Sequence, residues 1–520
     1  MRFKLPTRLA LAFSALALLS SVSLAVVETV SPLQPTALQS QTAKMIVKQL
    51  EQEHYVNLKL DDKTSALLLD TYLKTLDPGK LFFLQTDIDE FQRLRSQLDD
   101  ELKKGELSAG FVIYNRYHKR LTERLAKTIG ELPQMVKNFD FAADEELKLD
   151  REDAKWPTSA READDLWRKQ IKNRVLSLKL SGKEEKDSLE LLLKRYANQL
   201  SRVEQSTSED VFQYYMNALA SIYDPHTDYF SPRISENFQI NMSLKLEGIG
   251  AVLQSDDEYT KVVRLVPAGP ADKNGQLHPA DRIIAVAEGK NGEFKDVIGW
   301  RLDDVVDLIR GPKGTFVRLQ VIPAVSQSEE VRRTITIERN EVKLEEQSAQ
   351  KKMIQVYRDG RIVKVGVISI PAFYLDFEAL RRGDPDFRSS TRDTERLMSE
   401  LLADGAEGII IDLRDNGGGS LTEANDLVGL FIESGPTVQI RFANAWVKRE
   451  GKRRSSDFYD GPLAVLINRM SASASEIFAG AIQDYQRGVV IGNQSFGKGT
   501  VQSINPLQHG QLKITQSKFY

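Results

Sequence analysis

The sequence predicts an α+β multidomain protein, and three observations support that class. Over residues 42–216, apolar residues recur at helical spacing, which indicates a bundle of amphipathic helices. After Pro232 the chain changes to short β-branched runs separated by Gly, Pro, Asn and Asp, which favours a small β-rich domain. From about Lys351 onward, apolar strands alternate with helical segments, as expected of an α/β core.

The helical region is best defined at 188–200, where five large apolar residues share one helical face. Two Asp-Pro turns, at 77–83 and 224–230, place aromatic residues directly after a tight bend. We interpret both as turns that serve packing, and His226 as a turn residue. Downstream, short apolar runs predict strands over 261–266, 318–322, 362–370, 408–412, 463–467, 488–492 and 500–504, and helical spacing predicts helices over 391–402, 422–431 and 476–485.

Composition excludes several classes of chemistry. The chain has 520 residues, a net charge of -3 and no cysteine, so disulfides, thiolate metal sites and a cysteine nucleophile are excluded. Its five histidines show no metal-binding helix spacing. The charge balance gives no basic surface for nucleic acid. A nucleophile in this chain must therefore be an oxygen or an amine, and we expect neither a metal nor an organic cofactor.

The first 25 residues predict a cleaved secretory signal. Three basic residues precede an apolar run over 9–19, and small residues flank Leu24 before a predicted cut after Ala25. An uncleaved anchor is the alternative, which the short apolar run disfavours. We therefore expect a periplasmic protein whose association with the inner membrane, if any, is peripheral.

Near the C-terminus, a serine lies in a turn between a predicted strand and a predicted helix. Ser473 and Glu476 fit the S-x-x-E capping box, which is the favoured interpretation of the pair taken alone. Lys498 lies between two glycines 25 residues further on. Burial could lower the pKa of such a lysine until it accepts a serine proton at neutral pH. The glycine-rich turn at 416–420 could direct backbone N–H groups at a developing negative charge.

In their order and spacing, the stretches 412–419, 471–480 and 495–502, with 224–232 upstream, resemble the tail-specific protease, or C-terminal processing peptidase, family. The resemblance implies a serine protease core with a Ser/Lys dyad. The implied roles are nucleophile for Ser473, general base for Lys498 and positioning of the lysine for Gln502. It also implies an oxyanion hole at the backbone of Gly419 and Ala474, and supporting positions at Gly418, Glu476 and Ser495. By chemistry alone Ser471 and Ser475 stay open as nucleophiles. Asp484 lies 11 residues beyond Ser473, about 16 Å along a helix, so we interpret it as structural.

Residues 246–253, 263–271 and 277–286 resemble a PDZ domain, a fold that binds peptide C-termini by adding a strand to its sheet. The match implies a carboxylate-binding loop at Gly248, Ile249, Gly250 and Ala251, with Leu246 and Ile249 as apolar pocket residues, and a groove helix over 302–310. The predicted domains are then a signal peptide over 1–25, a helical domain over 26–232, a PDZ domain over 233–328 and a protease core over 329–520.

Lys498 also fits two other known motifs, which suggest different functions. Residues 492–498 fit the G-x-x-x-x-G-K spacing of a phosphate-binding loop, but Gly499 replaces the hydroxyl residue that holds magnesium. Residues 495–498 fit the S-x-x-K motif of penicillin-recognising enzymes, but the accompanying S-D-N and K-T-G motifs do not occur. A third alternative is a peptide-binding scaffold or holdase with an idle protease site.

The function that the resemblance implies is an exported serine endopeptidase. It would recognise C-terminal tails of envelope proteins through the PDZ domain and cleave through an acyl-enzyme. Its partners would be protein substrates with accessible tails, and an adaptor protein could take part; no nucleic acid is expected. The sequence ends inside an apparent strand, so we expect the chain to be a fragment of a longer protease.

Overall fold

The computed structural model describes residues 31–326, 331–451 and 459–520. Residues 33–520 form one compact unit, and the fold below is that unit. The predicted signal peptide and its cut after Ala25 lie outside the described residues. Within these residues, no helix combines the length and the apolar character needed to cross a membrane.

The N-terminal domain is helical, as predicted. Its core contains Tyr72, Phe83, Phe212 and Tyr215, all fully buried. The helices are α1 (Ala37–Glu53), α2 (Asp62–Leu76), α3 (Gln85–Phe91), α4 (Leu98–Lys104), α5 (Ser108–Lys137), α6 (Ala160–Leu180), α7 (Glu185–Glu204) and α8 (Ser208–Tyr223), with a 3₁₀ turn at Gln92–Leu94. A second cluster forms around Trp167, where α5, α6 and α7 meet.

Local chemistry sets the ends of these helices. Asp61 begins α2 by accepting the N–H of Thr64 at 3.0 Å. Thr207 and Asp210 begin α8 by a reciprocal capping box. The predicted face of α7 is confirmed, because its apolar residues lie in or against the Trp167 cluster. Helical periodicity in the sequence therefore identified this domain correctly.

Two short elements connect the helical domain to the next domain. They are β1 (Asp228–Phe230) and α9 (Pro232–Ser243). The side chain of Asp224, just after α8, accepts the N–H of His226 and so forms the tight turn that precedes β1.

The β-rich domain follows α9. Its elements are β2 (Lys245–Gly248), β3 (Ala251–Asp256), β4 (Tyr259–Leu265), α10 (Pro270–Asn274), β5 (Arg282–Glu288), β6 (Lys295–Asp296), α11 (Leu302–Ile309), β7 (Phe316–Ile322), β8 (Arg333–Glu338) and β9 (Asn340–Lys343). The main sheet has the order β3-β4-β5-β7-β8, so β3 is an edge strand with one partner among the described strands, and α11 packs against it.

The boundary predicted at residue 328 does not coincide with the end of this sheet. β8 pairs with β7 antiparallel, from Phe316 opposite Glu338 to Val321 opposite Arg333. β9 then pairs with β2 in a separate two-stranded ribbon. The polar, charged character of the segment hid both strands, because alternate side chains of an antiparallel strand face solvent.

The C-terminal domain is an α/β core, as predicted. β10 pairs antiparallel with β11, and β11, β12, β15 and β16 are parallel neighbours in that order. Its elements, after a 3₁₀ turn at Glu345–Gln347, are β10 (Gln350–Arg358), β11 (Arg361–Ser369), α12 (Phe377–Arg382), α13 (Ser390–Ala403), β12 (Gly408–Asp412), α14 (Leu421–Val428), β13 (Val438–Phe442), β14 (Val447–Glu450), β15 (Leu463–Ile467), α15 (Ala474–Asp484), β16 (Val489–Gly492), β17 (Thr500–Pro506) and β18 (Gln511–Phe519).

A second sheet joins the strand that follows the helical domain to strands of the C-terminal domain. It has the order β1-β18-β13-β14, and β17 also pairs with β18. Tyr229 lies opposite Leu512 in the β1–β18 pair. Leu512 and Ile514 are fully buried in the core of the helical domain. The helical domain and the C-terminal domain are therefore joined by a shared sheet and a shared core.

Candidate active site

Ser473 lies where the sequence analysis placed it, in the turn between β15 and α15. It is the residue just before the helix, with φ 55° and ψ −112°. This backbone conformation is strained for a residue with a side chain, and such strain concentrates at functional sites. Ser473 is half-buried and lines a cleft of about 1290 Å³.

The three serines of this turn have different surroundings. Ser471 is fully buried, and its hydroxyl donates to the Leu413 carbonyl at 2.8 Å. Ser475 is also fully buried and donates to the Asn416 carbonyl at 2.9 Å. Ser473 has neither restraint and faces the cleft. Of the three hydroxyls that the sequence left open, Ser473 thus has the exposure that a nucleophile needs.

The glycine-rich turn after β12 lies against Ser473. Because β12 and β15 are adjacent and parallel, the loops at their carboxyl ends meet at one edge of the sheet. Gly418 has φ 105°, and a Cβ at this position would lie 2.8 Å from Cβ of Ser473 and 3.2 Å from the nitrogen of Ala474. Only glycine permits this approach.

The backbone N–H groups of Gly419 and Ala474 are free in the part of the chain that the structure describes. Phe373 bonds to the residues on either side of Gly419: its N–H donates to the Gly418 carbonyl, and its carbonyl accepts the N–H of Ser420. Ala474 is the first residue of α15, whose N–H has no acceptor within the helix. Two donors beside Ser473 could therefore bind a negatively charged oxygen.

Asn416 supports both loops, and sequence reasoning missed it. Its fully buried side chain accepts the N–H of Gly418 and donates to the Ile370 carbonyl, both at 2.8 Å. Its own carbonyl accepts from Ala472 and Ser475. An asparagine directly before three glycines was the available signal, since such a side chain often fixes a turn through its own loop.

Glu476 accepts from the backbone N–H of Ser473 at 2.7 Å, which is half of the predicted capping box. The Glu476 carboxylate also accepts hydrogen bonds from the loop after β16, which carries Lys498. The N–H groups of Gly497 and Lys498 donate to Glu476 at 2.6 and 3.0 Å, and the Ser495 hydroxyl donates at 2.7 Å. The predicted supporting positions Glu476 and Ser495 are therefore in direct contact.

Lys498 lies in the loop after β16, the next parallel neighbour of β15. It is half-buried and lines the same cleft as Ser473. Burial of the amine lowers the pKa of Lys498, and the positive charge of Lys513 lowers it further, while the charges of Asp224 and Glu476 oppose the shift. Within the described residues its ammonium group has no salt bridge, which agrees with a pKa below the ordinary value for lysine.

Gln502 lies on β17 and lines this cleft. Its amide nitrogen donates to the hydroxyls of Thr500 at 2.9 Å and Thr515 at 3.1 Å. The described structure contains no hydrogen bond between Gln502 and Lys498. The amide oxygen is left as the group that could accept from the lysine.

The predicted peptide-binding residues lie at the start of the β-rich domain. Ile249 and Gly250 have N–H groups with no acceptor among the described residues, and Ala251 begins the edge strand β3. Gly250 has φ 72°, and Gly248 ends β2. Leu246 lines the cleft that contains Ser473. Ile249 differs from the expectation of an open pocket residue, because it is 3% exposed and packs in the domain core.

The structure also bears on the competing motifs. Thr500 begins a strand, so no helix follows Lys498 as a phosphate-binding loop requires. Ser495 and Lys498 do not lie on a helix, and the Ser495 hydroxyl is bonded to Glu476. Asp484 is an exposed residue at the end of α15. No cluster of three or more potential metal ligands occurs among the residues described.

Comparison with known families agrees with this architecture. Residues 46–233 match the tail-specific protease N-terminal domain, residues 237–322 match the PDZ domain, and residues 364–520 match peptidase family S41. These matches define a serine-type peptidase in which a helical domain and a PDZ domain accompany the protease core.

Relatives with curated names extend the comparison. A tail-specific protease from Haemophilus influenzae is 41% identical over 487 residues, which are 92% of this chain and 67% of the relative. The chain therefore belongs to the tail-specific protease family. A probable CtpA-like serine protease from Staphylococcus epidermidis is 30% identical over 57% of the chain and 54% of the relative. The chain thus spans two thirds of the first of these relatives and about half of the second.

Two solved structures are similar to parts of this chain. The PDZ domain of a carboxy-terminal protease from Vibrio cholerae, in complex with a peptide, is 48% identical over 19% of this chain and all of that chain, with a TM-score of 0.18. A photosystem II D1 C-terminal processing protease is 23% identical over 60% of this chain and 77% of that chain, with a TM-score of 0.33.

Proposed function

We propose that this protein is an exported endopeptidase that selects proteins by their C-terminal tails and cleaves them with a Ser473/Lys498 dyad. The observation that carries the proposal is the shared link to Glu476. One oxygen of its carboxylate accepts the N–H of Ser473 at 2.7 Å and that of Lys498 at 3.0 Å. The two nitrogens are therefore within 5.7 Å, the sum of these distances, and both side chains line one cleft.

In the first step, neutral Lys498 takes the proton from the Ser473 hydroxyl while the serine oxygen attacks the scissile carbonyl. Gln502 helps to hold the amine, as the family resemblance implies. The carbonyl oxygen gains negative charge and binds the N–H groups of Gly419 and Ala474. The protonated lysine then donates its proton to the leaving nitrogen, which gives an acyl-enzyme and a free amine.

Hydrolysis of the acyl-enzyme restores the site. Water gives a proton to Lys498 and attacks the ester carbonyl, and the Ser473 oxygen leaves and takes that proton back. Each chemical group in this cycle belongs to the protein or the substrate, so no cofactor is needed. The lowered pKa of Lys498 supports the neutral form that both attacks require.

Substrate choice follows from the PDZ domain. A peptide tail would add to the free edge of β3, beside α11, and its carboxylate would bind the N–H groups of Ile249 and Gly250. Leu246 lines the cleft that contains Ser473, so the tail site and the cleavage site are continuous. The substrates would be envelope proteins with accessible tails that end in small or apolar residues, in the periplasm.

The test compares Ser473→Ala, Lys498→Ala and a control, Lys518→Ala. Lys518 is an exposed lysine on the neighbouring strand β18 and does not line the cleft. With a quenched-fluorescent peptide that ends in two alanines and a free carboxylate, we expect kcat to fall by about 10³-fold or more in the first two variants only. Tail binding, measured by fluorescence anisotropy, should be unchanged in all three.

Retained cleavage in Lys498→Ala would refute the base assignment. Binding without any cleavage by the unaltered chain would instead support the alternative of a peptide-binding scaffold with an idle site. Covalent labelling of the unaltered chain at Ser473 by a serine-reactive probe, absent in Ser473→Ala, provides an independent readout.

A further inference from the structure

A largely buried network of hydrogen bonds connects the helical domain to Gln502, which lines the same cleft as Lys498. It begins at His54, just after α1, and passes through Asp224, Thr227 and Thr515 to Gln502. These residues come from both ends of the chain, and His54 and Thr515 are 4% and 3% exposed. No sequence pattern indicates this connection, because His54, Asp224 and Gln502 are far apart in the chain.

Asp224 is the centre of the network. His54 accepts the N–H of Val56 on Nδ1 at 3.0 Å, a shorter contact than the 3.3 Å to the Val56 carbonyl, so its proton lies on Nε2. Nε2 then donates to Asp224 at 2.5 Å. Thr227 and the N–H of His226 also donate to this carboxylate, at 2.7 and 2.6 Å. With these donors Asp224 is held in one orientation.

Thr515 carries the network to the active site. Its N–H donates to the Thr227 hydroxyl at 3.2 Å, and the Thr227 hydroxyl donates to Asp224 at 2.7 Å. The Thr515 hydroxyl accepts from the amide nitrogen of Gln502 at 3.1 Å, and the Thr500 hydroxyl accepts from the same nitrogen at 2.9 Å. The Gln502 amide nitrogen is therefore held by two hydroxyls, which leaves the amide oxygen as the group that can accept from Lys498.

The charged groups around Lys498 come from three elements. Glu476 lies on α15, Lys513 lies on β18, and Asp224 and His226 lie in the turn after α8. Of these, Asp224 and Glu476 are negative and favour the ammonium form. The positive charge of Lys498 likewise acts on His226, which is consistent with the turn facing the lysine. A substitution of Asp224 should therefore change the pKa of the Lys498 amine as well as the orientation of the Gln502 amide.

We propose that Asp224 and Thr515 are positioning residues for the Lys498 base: Asp224, held by His54, fixes Thr227 and through it the backbone of Thr515, and the Thr515 hydroxyl fixes the Gln502 amide in the cleft that Lys498 lines. The inference rests on the proposed function, because it assumes that Lys498 is the base. It assigns the helical domain a part in orienting the catalytic groups. A peptidase core without the His54–Asp224 pair would retain its nucleophile but hold its base poorly.

The test uses Thr515→Val and Thr515→Ser in the full chain. Valine has the shape of threonine without the hydroxyl, and serine keeps the hydroxyl. We expect Thr515→Val to lower kcat about 10-fold or more with KM changed less than twofold, and Thr515→Ser to restore most of the rate. In Thr515→Val and Asp224→Asn, the acid limb of the pH profile of kcat/KM should move to lower pH, because the ammonium form of Lys498 loses an acceptor or a nearby negative charge.

Glu209→Gln is the matched control. Glu209 accepts from His509 at 2.8 Å, and so forms another carboxylate–histidine pair between the helical domain and the C-terminal domain, without a bond to Gln502. Its pH profile should coincide with that of the unaltered chain. A Thr515→Val variant that cleaves with unchanged kcat and an unchanged acid limb overturns the proposal. A variant that loses thermal stability but keeps both also overturns it, because that result indicates a structural role alone.

The failure of this inference is distinguishable from failure of the proposed function. If Lys498→Ala abolishes cleavage while Thr515→Val behaves like the unaltered chain, the dyad stands and only the positioning network is wrong. If Lys498→Ala cleaves normally, the proposed function itself fails.

Discussion

Glu476 accepts the backbone N–H of Lys498 at 3.0 Å, and this bond links the loop that carries Lys498 to α15, the helix that begins directly after Ser473. The same carboxylate accepts from Ser473, Ser495 and Gly497. Four donors on one side chain leave it little freedom to move. The distance between the two loops of the site therefore depends on a single carboxylate.

Replacement of Glu476 by glutamine should separate this positioning from folding. An amide has one acceptor oxygen, so Glu476→Gln cannot retain all four bonds, and its NH₂ group would face backbone donors. We expect kcat to fall about 10- to 100-fold, since small displacements of reacting groups have effects of this size. Steady-state kinetics check this, with circular dichroism to confirm folding. A kcat within twofold of the unaltered chain would contradict the role.

Gly418 and Gly417 form a matched pair for testing the approach of the glycine turn. A Cβ at Gly418 would lie 2.9 Å from the Ala472 carbonyl and 2.8 Å from Cβ of Ser473, whereas a Cβ at Gly417 meets nothing within 4 Å. We expect Gly418→Ala to lower kcat/KM by about 100-fold, because the turn must move away from Ser473. Gly417→Ala should leave kcat/KM nearly unchanged. Equal losses in both variants would show that crowding at Ser473 is not the cause.

The pH dependence of cleavage should report the state of Lys498. Only the neutral amine can accept a proton, so kcat/KM should rise with pH through the pKa of this lysine. Burial lowers that pKa from its ordinary value of 10.5, so the rise should be centred below 10.5. A pH profile measured with the peptide substrate tests this. A rise centred at or above 10.5 would indicate a fully solvated lysine.

Tail recognition predicts sensitivity to the terminal carboxylate. The free N–H groups of Ile249 and Gly250 can bind a carboxylate more strongly than a neutral amide. We expect amidation of a good substrate's C-terminus, or addition of a charged final residue, to raise KM about 10-fold with a small change in kcat. Titration by anisotropy should give the same order of affinities. Equal KM values for acid and amide would argue against substrate selection by this loop.

A stability prediction concerns the helix α11, which borders the groove. The guanidinium of Arg339 is 1% exposed and donates to the carbonyls of Leu308 and Ile309 at the end of that helix, and to Glu288. Arg339→Ala would leave these buried carbonyls without donors and should cost about 3 kcal/mol of unfolding free energy.

A suitable control for that experiment is Arg361→Ala, which removes an exposed pair with Glu407. Its effect on the midpoint of urea unfolding should be small, because solvent screens exposed pairs. If Arg339→Ala unfolds at the same urea concentration as the control, the buried arginine does not stabilise the end of α11.

Local signals in the sequence predicted much of the fold and the site. Helical spacing identified α7, and apolar runs between glycines identified β15 and β16. The turn containing Ser473 follows from the strand and helix on either side of it. The family resemblance, rather than periodicity, distinguished Ser473 from Ser471 and Ser475, and the buried hydrogen bonds of the other two hydroxyls provide the physical reason.

Contacts between distant parts of the chain were not predictable in this way. Nothing near Asp228 in the sequence indicates that it lies opposite Lys513 in the β1–β18 pair. The bond between Thr515 and Gln502 depends on the register of β17 against β18, which contains an irregularity between Val501 and Gln502. The polar strand β8 was missed because its alternate residues face solvent, which weakens the hydrophobic pattern.

The sheet that contains both β1 and β18 sets a limit on how this peptidase can be dissected. A truncated version that starts after Pro232 would expose the edge of β18 and uncover the apolar side chains of Leu512 and Ile514, which the helical domain encloses. Such a fragment would be prone to self-association, and activity measurements on it would reflect aggregation rather than catalysis. Studies that aim to isolate the hydrolytic half should therefore retain the helices, or supply them in trans as a separately expressed polypeptide.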